Sequence, residues 1–286
     1  MSYQIIKRFP NQLLCALLVL AMPGKSVADV APADFREKIS DKIWEENLKV
    51  PNFQDREIIE GSAQNVLELK TPYTAEDASI VPISIQTKVP QTAENYIKKI
   101  HVYIDKNPVP LVGIFEFTPH SGRADLAMRI RVDDFSYVRA IAEMNTGELY
   151  MDKSFVRAKG ACSAPPPSLA FAESKKLMGK MKINTIGEVE LGKPNLMQLK
   201  IRHPNITGLA PVKIGSRVRP PPHFINAIEV DYNGDMILKA TLTFSISMDP
   251  AFRFFFVPEK EGVMSVKGID TKQNEFNSTF KVSAAS

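Results

Sequence analysis

The chain has 286 residues, of which 44% are hydrophobic and 24% are charged, and its net charge is +4 at pH 7. This length suits one large or two ordinary domains, and the composition excludes a disordered, collagen-like or coiled-coil protein. Because Lys7, Arg8 and Lys25 lie in a predicted leader, the mature chain would carry a net charge of only about +1, which removes the electrostatic basis for binding nucleic acid.

The first 28 residues have the pattern of a secretory signal peptide. Lys7 and Arg8 precede an apolar run over residues 13–22, and Ser26-Val27-Ala28 offers the small side chains of a cleavage site. The run is about half of the roughly 20 residues needed to cross a bilayer. We therefore expect cleavage after Ala28, export to the periplasm and no membrane insertion of the mature chain.

Residues 29–158 predict a β-sandwich domain that opens with a short amphipathic helix over 34–48. Met128, Ile130 and Val132 alternate with Arg129 and Arg131, which indicates a strand with one buried face. Turn residues separate most of the apolar segments, and this spacing is typical of a sandwich. The predicted strands are 67–69, 80–85, 97–104, 111–117, 126–132, 137–144 and 149–156.

Residues 159–178 interrupt this pattern. Three consecutive prolines, Pro165 to Pro167, favour an extended and solvated backbone, so we interpret the segment as an arm and a linker between two domains.

Residues 179–286 repeat the strand pattern and predict a second sandwich. The pair Asn233-Gly234 between two apolar segments indicates a tight hairpin, because both residues accept a positive φ angle. The predicted strands are 181–183, 196–201, 227–232, 236–246, 252–257, 263–269 and 276–282.

No motif for a metal or a cofactor stands out. The four histidines, His101, His120, His203 and His223, lie far apart in the chain, and none has the spacing of a known metal motif. Motifs for covalent haem and for nucleotide phosphates are missing from the sequence as well. We therefore predict no metal, no cofactor and no catalytic residue.

Cys162 is the most informative residue, since removal of the leader also removes Cys15 and leaves a single thiol. Its neighbours are small, so we expect the thiol to be exposed, and Arg157 and Lys159 would favour the thiolate. An exposed thiolate on an extended arm can carry a covalent adduct to other proteins. Two alternatives remain: a disulfide between two copies, and a thiol enzyme with Cys162 as its nucleophile, which would need a nearby base.

Short segments in each half resemble those of a known protein family. In the first half they are AEDASIVPI at 75–83, NPVPLV at 107–112, RIR at 129–131 and VRAIAE at 138–143. In the second half they are HPNITG at 203–208, PHFI at 222–225, YNG at 232–234 and DPAFRF at 249–254. The first set is similar to SoxY and the second to SoxZ, so the two halves resemble the two subunits of the SoxYZ sulfur carriers of periplasmic thiosulfate oxidation.

This resemblance implies an all-β fold of two immunoglobulin-like β-sandwich domains in tandem. It also implies that Cys162 takes the place of the cysteine in the GGCGG arm of SoxY, with Gly160, Ala161 and Ser163 providing the flexibility of the arm. Fused chains of this kind look like carrier-like proteins associated with quinoprotein (PQQ) dehydrogenases, which implies such an enzyme as a partner.

His203 has two readings. A functional one places it at the contact between the halves or beside the arm, where it tunes the thiol. We prefer a structural loop in which the imidazole binds a backbone carbonyl.

Together these features predict a non-enzymatic periplasmic carrier whose Cys162 holds a covalent, sulfur-based adduct for partner enzymes that load and process it. The alternative function is a binding adapter for a periplasmic quinoprotein dehydrogenase, without covalent cargo.

Overall fold

The structure, a computed structural model, describes residues 33–61, 65–211 and 215–284. The predicted signal peptide, residues 1–28, lies outside the described residues. Within the described part, no helix combines the length and the hydropathy that a membrane span requires.

The described chain begins with a helical segment that covers one face of the first domain. Helix α1 spans Ala33–Ile43, a π-helical turn spans Trp44–Lys49, and helix α2 spans Val50–Phe53. Trp44 and Phe53 are almost fully buried, in a small cluster with Tyr103, Ile141 and Leu149 of the sheet below. This burial of large apolar side chains docks the predicted N-terminal helix on the sheet.

In its described residues, the first domain contains eight strands and one 3-10 turn, Pro119–Ser121. The strands are β1 Ile58–Glu60, β2 Leu67–Lys70, β3 Val81–Thr87, β4 Ile97–Ile104, β5 Leu111–Phe117, β6 Leu126–Ile130, β7 Ser136–Met144 and β8 Leu149–Val156.

The second domain contains seven strands, preceded by helix α3, Ser168–Lys176. The strands are β9 Met181–Ile186, β10 Asn195–Ile201, β11 Ile225–Tyr232, β12 Asp235–Leu242, β13 Ala251–Phe256, β14 Gly262–Asp270 and β15 Glu275–Val282.

Both sheets of the sandwich continue from one domain into the other. One sheet has nine strands in the order β1-β8-β7-β4-β5-β12-β11-β14-β15, and the other has six in the order β2-β3-β6-β13-β10-β9. Antiparallel pairing of β5 with β12 and of β6 with β13 forms the two junctions. The domains therefore share backbone ladders as well as side-chain contacts, and the all-β fold of two tandem immunoglobulin-like domains is confirmed.

A single hydrophobic core lies between the two sheets and crosses the junction. Phe115 of the first domain and Phe252 of the second are both buried, with their ring centroids 6.1 Å apart. Each fully buried side chain of this size contributes about 1.5–3 kcal/mol relative to exposure.

Local sequence explains most of the strands. In β6 the burial alternates residue by residue, as predicted from Met128 and Ile130. The hairpin between β11 and β12 turns at Asn233 and Gly234, which have φ angles of 51° and 94°. The predicted strand 236–246 is shorter than expected and ends at Leu242.

A buried ion pair lies beneath the N-terminal helix. The guanidinium of Arg139 donates to Asp105, with Nε 2.8 Å from Oδ1 and Nη2 2.8 Å from Oδ2, and both residues are at most 2% exposed. Ser40 of α1 donates a further hydrogen bond of 2.7 Å to Oδ2 of Asp105. The pair therefore ties the helix to the sheet.

The segment between the domains is less extended than predicted. Residues 168–176 form α3, and Ser174 on this helix is fully buried, with Oγ donating to Asp249 Oδ1 at 2.6 Å. The prediction of an extended linker over 159–178 is therefore wrong for its second half, because a polar anchor docks the helix against the second domain.

Candidate functional site

Cys162 lies in a turn that follows β8 and connects the two domains. The turn closes on itself by a hydrogen bond of 3.0 Å from Ala164 N to the Gly160 carbonyl. Gly160 has a φ of 84°, in the left-handed region where a side chain would be strained, so glycine allows the chain to reverse here. Its N–H donates to the Asp133 carbonyl at 2.7 Å.

The side chain of Cys162 is fully buried, with 0% exposure. Its backbone N–H donates to Asp133 Oδ1 at 2.8 Å, and its carbonyl accepts a hydrogen bond of 2.8 Å from Thr207 Oγ1. Asp133 belongs to the first domain and Thr207 to the second, so both domains hold the cysteine. The predicted exposure of this thiol is wrong, because residues distant in the chain provide the enclosure that its small neighbours lack.

The remaining predicted arm residues are divided between interior and solvent. Ala161 is 6% exposed, whereas Ser163 points to solvent. The structure therefore presents the arm as a turn held in place, and not as the extended segment expected from the sequence.

Burial raises the pKa of Cys162 to about 12, and Asp133 acts in the same direction while Arg131 opposes it. With this pKa, roughly one thiol in 10⁵ is ionised at pH 7. Since the thiolate is the nucleophile and the thiol is not, the closed turn protects Cys162 from reaction. Chemistry at this residue requires the turn to open.

Arg131 is a buried cation beside the thiol. It is 6% exposed, and its Nη1 donates to the carbonyls of Phe244 and Ile246 at 2.7 and 2.6 Å. Both hydrogen bonds come from Nη1, and the guanidinium has no ion-pair partner among the described residues. Burial lowers the pKa of Arg131 to about 10, although Cys162 opposes the shift.

A cavity of about 610 Å³ opens directly above this turn. Arg131, Gly160, Ala161 and Thr207 contribute to its wall. Its outer part includes apolar side chains, among them Ile80 and Phe171. The cavity therefore meets the turn and the guanidinium, while Cys162 is not among the residues of its wall. A second cavity of the same volume lies against β6, β10 and β13 and contacts none of the predicted site residues.

The fold also brings together two histidines and an aspartate that are distant in sequence. His203, His223 and Asp270 are buried, and their candidate ligand atoms lie within 4.8 Å of one another. His223 Nε2 is 2.7 Å from Asp270 Oδ2, and His203 Nε2 is 3.5 Å from the same oxygen.

This cluster has no motif in the sequence, because 67 residues separate its first and last members. His203 does not bind a backbone carbonyl as expected: its Nδ1 lies 2.8 Å from the side-chain oxygen of Asn205.

Comparisons with protein families match the two halves separately. The family model described as "Sulfur oxidation protein SoxY" matches residues 52–162, so its match ends at Cys162. The model described as "Sulphur oxidation protein SoxZ" matches residues 183–281. No curated protein sequence matches the chain.

Solved structures similar to this chain include the sulfur carrier protein SoxY from Chlorobium limicola f. thiosulfatophilum. That similarity has 22% identity and a TM-score of 0.33, and it covers 43% of this chain and 99% of that chain. A superoxide reductase (neelaredoxin) from Ignicoccus hospitalis has 14% identity and a TM-score of 0.30, with 34% and 85% covered. The fibronectin(III)-like modules of Clostridium thermocellum CbhA have 9% identity and a TM-score of 0.25, with 77% and 94% covered.

Proposed function

Since the chain is a SoxYZ-type fusion and hence a carrier protein of sulfur oxidation, we propose that it works in the periplasm and holds a covalent, sulfur-based adduct on Cys162. The protein presents this adduct to partner enzymes, which load it and process it. The chain itself is not an enzyme in this proposal, and its part is to shelter and release the thiol.

The observation that carries the proposal is the buried guanidinium of Arg131 next to Cys162, the free cysteine of the described residues. A buried cation is costly unless an anion or hydrogen-bond acceptors compensate it. The Arg131 side chain lies in the cavity wall, and its Nη1 donates to two backbone carbonyls. An adduct with a negatively charged outer group, attached to Cys162, would place an anion beside this cation, and arginine can bind such a group in a bidentate geometry.

Loading requires the turn to open, and the contacts that hold it are few. Among the described residues, three hydrogen bonds join the turn to the domains: Gly160 N to Asp133 O, Cys162 N to Asp133 Oδ1, and Thr207 Oγ1 to Cys162 O. With a net contribution of about 0.5–1.5 kcal/mol each, the open form costs a few kcal/mol. A partner enzyme that binds the open turn can shift such an equilibrium.

The test is the intact mass of the full chain purified from periplasm, measured before and after treatment with a reductant. We expect an added mass on the monomer that the reductant removes, and we expect no such mass on Cys162→Ser. Arg131→Lys keeps the charge but loses the fork of donors, so it should carry less adduct than the wild type. A doubled mass that the reductant halves would indicate a disulfide dimer and would contradict the proposal.

The second candidate function is a non-catalytic adapter for a periplasmic quinoprotein dehydrogenase, in which Cys162 carries nothing. The burial of the thiol favours this candidate, because a residue with a purely structural role would also be enclosed. An unmodified thiol in the periplasmic protein, together with a fully functional Cys162→Ser strain, would decide for the adapter.

A further inference from the structure

The cluster of His203, His223 and Asp270 is independent of the thiol site and has no part in the proposed carriage. All three residues are buried, at 0%, 6% and 0% exposure. His203 lies after β10, His223 precedes β11, and Asp270 ends β14. The two imidazole rings meet edge to face, with centroids 4.8 Å apart.

The surroundings of Asn205 bear on which nitrogen of His203 carries the proton. Asn205 Oδ1 accepts from Ile225 N at 3.1 Å, and its Nδ2 donates to the Ser247 carbonyl at 3.1 Å. His203 Nδ1 lies 2.8 Å from this Oδ1, and the Asn205 backbone N–H donates to the same nitrogen at 3.1 Å. We assign the ring proton to Nδ1, since a proton there makes the shorter of the two contacts a hydrogen bond.

This assignment leaves a lone pair on His203 Nε2, a buried atom that has no hydrogen-bond partner among the described residues. Its lone pair faces Asp270 Oδ2 across 3.5 Å. Two acceptors that face each other in the interior are unfavourable unless a cation lies between them. Two ligands of a tetrahedral zinc ion, each about 2.0–2.2 Å from the metal, lie roughly 3.4 Å apart.

The hydrogen bonds of Asp270 also suit a metal ligand. Its Oδ1 accepts from Lys272 N at 2.8 Å and from Asn274 N at 3.0 Å, and its Oδ2 accepts from Asn274 Nδ2 at 2.8 Å. Donors on both oxygens are the surroundings of a carboxylate, and carboxylate and neutral imidazole are the forms that bind metal.

We propose that His203, His223 and Asp270 form a binding site for one divalent transition-metal ion, with Zn²⁺ as the ion that best suits this donor set. His203 Nε2 and Asp270 Oδ2 are ligands with no change in protonation. His223 Nε2 becomes the third ligand when its proton moves to Nδ1 of the same ring, so no proton leaves the site. Asn205 orients His203 through Nδ1, as outer partners of metal-bound imidazoles do.

Such a metal ion would stabilise the loop that reaches the cysteine turn. Asn205 and Thr207 lie on the same loop, and Thr207 holds the carbonyl of Cys162. The metal ion would therefore have a structural role in the second domain.

The test titrates the full chain, stripped with a chelator, with Zn²⁺ and separately with Co²⁺. We expect one equivalent to bind and the Co²⁺ form to show the intense visible absorption of tetrahedral coordination. His203→Ala should weaken binding roughly a hundredfold or more. His120→Ala is the matched control, because it removes an exposed histidine and should leave binding unchanged. Cys162→Ser should also bind one equivalent of metal, because the thiol is not a ligand. Failure of the carrier proposal and failure of the metal proposal can therefore be distinguished.

A second measurement uses the wild-type chain, so its result does not depend on whether His203→Ala folds. In the wild-type chain, imidazole ¹⁵N resonances of His203 and His223 should shift on addition of Zn²⁺. The absence of binding by the wild type would overturn the proposal, as would shifts confined to His101 or His120.

Discussion

Replacement of Thr207 by Val tests whether the closed turn hides the thiol. The Thr207 hydroxyl donates to the Cys162 carbonyl at 2.8 Å and accepts from Leu209 N at 3.1 Å. Valine has nearly the same shape but lacks both hydrogen-bonding functions, so the carbonyl of Cys162 stays buried without its partner. The open turn loses nothing, since water can solvate the same carbonyl there.

The size of the change in the open population follows from this difference between the closed and the open turn. A buried polar group left without a partner costs about 1–3 kcal/mol. One to three kcal/mol corresponds to a factor of roughly 5–150 in an equilibrium constant. The population of the open turn in Thr207→Val should rise by that factor.

The rate of alkylation of Cys162 by iodoacetamide, followed by mass spectrometry under native conditions, reports this population. When opening is fast and reversible, the observed rate scales with the open fraction. Thr207→Ser keeps the hydroxyl and should react close to the wild-type rate. Thr118→Val is a further control, because it removes a hydroxyl that donates to the Met236 carbonyl at 2.6 Å, away from the turn. Equal alkylation rates in the wild type and Thr207→Val would refute the role of this hydrogen bond.

Three further outcomes are expected. The pKa of Cys162 is raised to about 12 from an ordinary value of 9.0, so the contribution of the protonated thiol to stability is complete below pH 9 and is lost as the pH rises towards 12. In urea unfolding, the wild type should lose about 1.4 kcal/mol of stability between pH 7 and pH 10 relative to Cys162→Ser. Parallel pH profiles of the two proteins would contradict this. Asp105→Ala leaves the buried guanidinium of Arg139 without its main partner and should cost about 3–5 kcal/mol in urea unfolding, whereas a loss below 1 kcal/mol would show that the pair is dispensable. Ser174→Ala removes the hydrogen bond to Asp249 and should make α3 more sensitive to limited proteolysis at a cost of about 1 kcal/mol, and an unchanged cleavage pattern would argue against Ser174 as its anchor.

The sequence was sufficient to predict most of the strands, because their signals are local. Alternation of apolar and polar residues identified β6, and Asn233-Gly234 identified the turn between β11 and β12. Helix α3 escaped prediction because it follows three prolines and its docking depends on a buried serine, Ser174, and not on an apolar face.

The environment of Cys162 could not be predicted from its neighbours. Small residues on either side suggested exposure, but burial is decided by Asp133 and Thr207, which lie 29 and 45 residues away. His203 and Asp270 come together for the same reason, since only the packing of the two sheets brings the end of β10 in one sheet close to the end of β14 in the other.

Because both sheets run through the junction at β5–β12 and β6–β13, a protease that cuts the chain between Ala164 and Ser168 would not separate it into two parts. The nicked fragments should stay associated as a heterodimer. Each fragment prepared alone would present two unprotected strand edges to solvent, and such edges invite aggregation. The covalent connection therefore keeps the two domains together, so that these strand edges pair within one chain.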